Sequence, residues 1–199
     1  MAIIVDKVQK RKDIALACKE LFFQNGISNL TISKIATTAG VGKGTIYDYF
    51  KNKEDIVFEI VNVLIQERNS IKEQKLLQIL NTKDKIKLFS EFFYNEEDTE
   101  LRQLYKEFIS ISLVKQDKDM IDFQTQCSNG YFAWFSEIIQ NGIEKGELIP
   151  QANKFARGLF VMAEGMFITS EVTKSISDLK KEIHDNIDAL FDLIEIKKV

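Results

Sequence analysis

A chain of 199 residues, 45% apolar and 29% charged, can bury a core in one or two domains and has the composition of an ordinary globular protein. One proline and nine glycines favour long helices over a strand-and-turn architecture. No stretch reaches the roughly 18 apolar residues of a membrane helix, and Ala2–Val5 is too short for a signal-peptide core, so a cytoplasmic location is expected.

The two cysteines, Cys18 and Cys127, make no disulfide framework and have no metal-ligand neighbour at useful spacing. They read as small buried hydrophobes, with a redox-sensing thiol as the alternative. Net charge is −3, but it is unevenly spread: residues 1–53 carry +5 and the remainder −8. A basic head on an acidic body suits one domain that faces phosphates and another that does not.

In chain order, residues 6–25 read as a first helix with an inward stripe of Ile14, Ala17, Cys18, Leu21 and Phe22. Lys7, Lys10, Arg11 and Lys12 cluster at its start, within reach of phosphates, and Gly26 is a C-cap. Thr31 is an N-cap for a short helix whose apolar face is Ile32, Ile35, Ala36 and Ala39. Gly40 ends that helix, because glycine enters the left-handed conformation without a Cβ clash. A second helix restarts over residues 43–50, with Ile46 and Phe50 inward. Helix, tight turn, helix is the frame that lays its second helix in a DNA major groove. Ile27, Leu30, Ile35, Val41, Ile46 and Phe50 are its expected core.

The spacing of Thr31, Ile35, Ala36, Ala39-Gly40-Val41, Gly44-Thr45, Tyr47, Tyr49-Phe50 and Lys53 resembles the signature of TetR-type helix-turn-helix transcriptional repressors. The motif covers about 25 residues within a looser match over roughly the first 60, in the manner of an all-α helix-turn-helix domain. Gly42 stands where that signature often has serine, and Asp48 places a carboxylate on the second helix. The resemblance implies an all-α protein: an N-terminal three-helix DNA-binding domain over 1–53 and a C-terminal helical effector-binding and dimerisation domain over 54–199. The implied function is a ligand-responsive regulator, a repressor that binds a palindromic operator as a homodimer and is released by a small apolar or aromatic effector. A helical dimer that no longer binds DNA is the alternative.

Beyond residue 52, a capping Asn52 with Glu54 and Asp55 opens a helix that either extends toward Leu80 or breaks near Asn69-Ser70. Further amphipathic helices follow over 84–95, 100–115, 118–145, 153–173 and 177–197, with a turn at Gly146, Leu148 and Pro150.

Candidate DNA contacts are Thr31, Lys43, Gly44, Thr45, Tyr47, Tyr49 and Lys53. Thr31 offers a hydroxyl and helix-terminal donors to a phosphate, Gly44 a close backbone approach, and Thr45 a methyl and hydroxyl for a base edge. Tyr47 can stack or donate to phosphate. Tyr49 and Lys53 resemble the family's backbone-clamping positions. Asp48 either accepts from a cytosine amino group or pairs with Lys43 or Lys51.

The candidate effector lining is Phe92, Phe93, Tyr105, Phe108, Phe123, Tyr131, Trp134, Met162 and Met166. For any one of these residues, filling the core is the better reading. The candidate dimer interface is Phe155, Leu159, Met162, Met166, Ile183, Ile187, Leu190, Phe191 and Ile194, which would form a four-helix bundle across a two-fold axis.

Enzymatic readings are weak. Gly40 to Thr45 superficially resembles a phosphate-cradling loop, but Lys43 precedes Gly44 and the segment before it is helical rather than a strand. His184, beside Asp185 and Asp188, is the single histidine and reads as a surface or interface residue. No cofactor, metal site or membrane partner is expected. The expected partners are operator DNA, a second copy of the chain and an unidentified effector.

Overall fold

The computed structural model describes residues 6–197, so Ala2–Val5 lies outside the described residues. Among these, regular structure is helical apart from one isolated antiparallel bridge between Leu148 and Glu195. The helices are α1 (Lys7–Ala17), α2 (Lys19–Asn25), α3 (Ile32–Thr38), α4 (Lys43–Tyr49), α5 (Lys53–Gln78), α6 (Thr82–Ser90), α7 (Thr99–Lys115), α8 (Lys118–Glu144), α9 (Ala156–Val172) and α10 (Leu179–Ile194). Tight 3-10 turns occupy Glu91–Phe93, Glu96–Asp98 and Pro150–Phe155. The chain forms two compact units: residues up to 69 with 100–123, and residues 70–99 with 124 onward. No helix among the described residues is long and apolar enough to cross a membrane.

In the first unit, Asp6 caps α1 by accepting from the Val8 and Gln9 N–H groups at 3.0 and 3.2 Å. The single helix expected over residues 6–25 is in fact two. Cys18, at φ −97° and ψ −4°, turns its N–H back to Ala15 O at 3.0 Å and breaks the ladder. The inward stripe is therefore Ile14, Ala15, Cys18 and Phe22, while Ala17 is exposed and Leu21 half-buried. Ile27, Leu30, Ile35, Ile46 and Phe50 fill the core with Ile56, Val57 and Ile60 of α5, and Val41 sits at its margin. Each fully buried side chain of this size contributes roughly 1.5–3 kcal/mol of transfer free energy.

One face of α7 ties to α2 and the loop after it. Glu100 pairs with Lys19 at 2.7 Å, Gln103 Nε2 donates to Phe23 O at 3.0 Å, and Glu107 Oε2 accepts from Ile27 N at 2.8 Å. Spacings of three and seven keep these three side chains in one row. Gln103 and Glu107 satisfy backbone groups at and just after the end of α2.

The second unit packs Ile86, Leu88 and Phe89 of α6 against Phe135, Ile138 and Ile139 of α8, Leu159 and Ala163 of α9, and Ile183, Ile187, Phe191 and Ile194 of α10. The turn after α8 is fastened twice. Glu147 accepts from both the Thr82 N–H and hydroxyl at 2.7 Å. Ile149 N donates to Ile194 O at 2.9 Å, and Ile196 N to Glu147 O at 2.8 Å. Gly142 lies beneath this fastening: an added Cβ would overlap the Thr82 hydroxyl and approach Leu148 Cδ1 at 3.1 Å. Gly130, also on α8, has open space around it. Gly142→Ala is therefore expected to lower stability by about 1–3 kcal/mol through overpacking, while Gly130→Ala raises it by about 0.5–1 kcal/mol through helix propensity. Urea denaturation of the two variants beside the parent gives the comparison, and an unshifted midpoint for Gly142→Ala would contradict the packing.

Candidate functional site

The turn between α3 and α4 occupies residues 39–42. Gly40 takes φ +65°, its N–H bonds to Thr37 O at 3.2 Å, and Val41 N bonds to Ala36 O at 3.0 Å. This paired closure satisfies two of the last carbonyls of α3, and α4 begins at Lys43. α4 then packs on α3 and buries Ile46 and Phe50 beneath it. The opposite side of α4 is open: Lys43, Gly44, Tyr47 and Asp48 are exposed and Thr45 is half-buried. Nothing lies within 4 Å of where a Gly44 Cβ would stand, so the backbone can be approached closely there. Asp48 makes no ion pair with Lys43 or Lys51 among the described residues.

Thr31 caps α3 with a bond from Lys34 N at 3.4 Å and stays exposed. Lys34 Nζ donates to Asn25 Oδ1 at 2.9 Å. Lys53, expected at a position that clamps the DNA backbone, is engaged within the chain. Its ammonium donates to Ser28 O at 2.9 Å and Leu30 O at 3.3 Å, so it fastens the loop before α3 to the first turn of α5. Tyr49 is half-buried, and its carbonyl is engaged by Arg11.

Arg11 corrects the reading of the α1 basic cluster as uniformly phosphate-facing. Its guanidinium turns inward, 4.3 Å from the Phe50 ring centroid. It donates to Tyr49 O, to Asp55 Oδ1 at 2.6 Å and to Glu59 Oε2 at 2.8 Å. Asp55 also accepts from Lys51 N at 3.0 Å, and its own N–H bonds to the capping Asn52 Oδ1 at 2.8 Å. Burial disfavours the Asp55 carboxylate, but Arg11 and the Lys51 N–H outweigh it and hold its pKa below the usual value.

The candidate effector residues are divided between the units. Phe108 and Phe123 close on Phe58 in the first, with ring centroids 5.8 and 4.5 Å away, and Tyr105 also lies in that unit. In the second, Phe92 and Phe93 meet edge to face at 5.2 Å, and Phe93 lies 5.6 Å from Phe167. Tyr131, Trp134 and Phe135 surround Phe89 at 6.1, 5.4 and 5.5 Å. Met162 and Met166 pack at the border of the same core. Lys72 brings a cation to this cluster, 5.0 Å from the Phe89 ring centroid and 5.9 Å from that of Tyr131. Lys72 and the row Glu100, Gln103 and Glu107 escape sequence reading, because lysine and carboxylates in polar runs look like a solvated face.

Of the candidate dimer residues, Leu159, Ile183, Ile187, Phe191 and Ile194 are buried in the chain's own core and present no surface to a second copy. Phe155 is 47% exposed, and Met162, Met166 and Leu190 are half-buried. The outward faces carry instead Gly158, Val161, Gly165 and Val172 on α9, and Ala189 and Leu193 on α10. His184 Nε2 lies 2.8 Å from the Tyr94 hydroxyl, while Asp185 and Asp188 pair with Lys181 and Lys87. Burial, Lys87 and Lys180 lower the His184 pKa. The Cys18 thiol is pushed up to about 11 by burial and that of Cys127 is raised likewise, so neither is a thiolate near neutrality.

Residues 14–60, which contain this turn and its buried frame, match the family model described as bacterial regulatory proteins, tetR family. Over those residues the chain carries the signature of the TetR family. A solved TetR-family regulator from Cytophaga hutchinsonii superposes with a TM-score of 0.77 over 98% of this chain and 100% of that one, at 17% identity. The Bacillus subtilis FadR structure, in complex with stearoyl-CoA, does so with a TM-score of 0.63 over 90% and 96%, at 24% identity. These likenesses establish a shared TetR-family fold. In sequence, the Bacillus subtilis fatty acid metabolism regulator protein is 29% identical over 71% of this chain and 72% of its own length. An HTH-type transcriptional regulator from Staphylococcus aureus is 32% identical over 34% of this chain, which spans only 39% of that relative. The relatives named here are regulators, in keeping with the expectation of a non-enzyme.

The Asp55 anchor has a pH signature. Its folded pKa is depressed, so its contribution to stability is fully present above the unfolded value of about 3.9 and is lost as pH falls through the folded pKa. Arg11→Met is expected to destabilise the parent at neutral pH and to flatten that acid limb. Urea midpoints between neutrality and the acid limb test it, and an equally steep limb in the variant would refute the anchor.

Proposed function

We propose that the chain is a ligand-responsive transcriptional regulator, a repressor that binds a palindromic operator in double-stranded DNA as a homodimer in the cytoplasm. The observation that carries this is the open leading edge of α4: Lys43, Gly44 and Tyr47 stand outward, with Thr45 half-buried beside them, on a helix whose inner face is locked by Ile46 and Phe50. In this reading Thr45 and Tyr47 meet base edges and Lys43 a phosphate, while Thr31 and Tyr49 position the backbone. Lys53 acts from behind, holding the loop that presents Thr31. The functional division is a DNA-binding domain over 1–53 and an effector and dimer domain over 54–199.

Dimerisation is assigned to the outward faces of α9 and α10, with Phe155, Met162, Met166 and Leu190 at their margins. Exposed Gly158 and Gly165 permit close approach, and exposed Val161, Val172 and Leu193 supply apolar area. The effector is apolar or aromatic and enters the second unit beside Phe89, Phe92, Phe93, Tyr131 and Trp134. The stearoyl-CoA held by the Bacillus subtilis relative is consistent with an apolar body. Effector binding shifts the dimer toward a form whose heads no longer match the half-site spacing.

Selection of bound DNA from a random pool is expected to return an inverted repeat. On that operator, Lys43→Ala should weaken binding on all sequences and lower the salt slope by about 1, whereas Thr45→Ala should change sequence preference. Equal losses on operator and random DNA for Thr45→Ala would contradict the groove assignment. Leu193→Glu should shift sedimentation toward monomer and abolish tight operator binding. A pool without symmetry together with a monomeric parent would overturn the proposal.

A further inference from the structure

Lys72 is a cation set among aromatic rings, with no carboxylate at ion-pair distance among the described residues. Its interactions within the second unit are few: one long hydrogen bond to Phe89 O at 3.4 Å and the faces of Phe89 and Tyr131. Asp98 and Glu91 act on it only from farther off, and Glu91 is shared with Lys75 at 4.0 Å. Burial lowers its pKa, and Lys75 adds to that, against the pull of the two carboxylates. A desolvated ammonium without a close counter-charge is costly to keep, and ring faces offset only part of the loss. Methionine or leucine would fill such a position at lower cost. The neighbouring wall is apolar: Phe89 meets Trp134 at 5.4 Å and Phe135 at 5.5 Å.

We propose that Lys72 binds the carboxylate of an effector that is a small organic acid with an apolar body. The carboxylate accepts from the ammonium, and the body lies along Phe89, Tyr131 and Trp134. An anion here supplies the counter-charge that the fold withholds, so its charged hydrogen bond forms in a low-dielectric setting where it is strong. This rests on the effector reading given above and names the chemical class that the same region selects.

The test pairs acids with neutral amides of the same body: decanoate with decanamide, and 2-naphthoate with 2-naphthamide. Binding to the full chain is measured by calorimetry, and operator affinity is measured in parallel. The parent is expected to prefer at least one acid over its amide by tenfold or more. Lys72→Met should reduce that ratio to about one, while Lys72→Arg, which keeps the charge, should retain much of it. Thermal melts of both variants establish that they fold, and Lys72→Arg carries the comparison if Lys72→Met does not. Equal binding of acid and amide by the parent, a preserved ratio in Lys72→Met, or no binding of either acid would overturn the inference. An amide that releases operator as well as its acid sinks the inference and leaves the proposed function standing. A tenfold acid preference with no change in operator affinity does the reverse.

Discussion

The guanidinium of Arg11 closes the junction between α1, the end of α4 and the start of α5. It spends its planar fork on Asp55, Glu59 and the Tyr49 carbonyl, and lays its face on Phe50. Isolated exposed ion pairs stabilise little, but here one rigid cation satisfies several acceptors around a buried ring, which fixes direction as much as it adds energy. Phe50 is also the buried residue that ends α4. The orientation of the outward face of that helix therefore follows from a group on α1 that never meets DNA in the proposed mode.

Backbone positioning elsewhere in the head uses similar means. The Gly40 closure sets the angle between α3 and α4, Lys53 holds the carbonyls of Ser28 and Leu30, and Glu107 takes the N–H of Ile27. Each is a charged or left-handed group applied to main-chain atoms that helix ends leave unpaired. A basic head thus contains two kinds of cation. Lys43 and Lys51 face outward, whereas Arg11 and Lys53 hold the frame.

The second unit balances packing against a retained charge. Its core is aliphatic and aromatic, and the turn after α8 is fastened through Glu147 and a short bridge to the end of α10. Phe89 is at once a core residue and the ring beneath Lys72. In the proposed mode, stability and ligand selection draw on the same side chain, as binding sites built on packed helices often require.

Local features were legible before any coordinates. The caps at Thr31 and Asn52, the left-handed Gly40 and the inward Ile46 and Phe50 follow from rules that act over four or five residues; those rules leave open whether α5 breaks at Asn69-Ser70, and it runs unbroken through both. Whether an apolar face closes its own core or meets a second copy is decided by which partners reach it: Ile183, Ile187 and Phe191 turned inward, while Val161 and Leu193 did not. The same holds for charge. Lysine and arginine read alike along a basic run, and only the fold brought Asp55 to Arg11, two backbone carbonyls to Lys53 and aromatic rings to Lys72. Those encounters join residues 17 to 59 positions apart, a range over which periodicity carries no information.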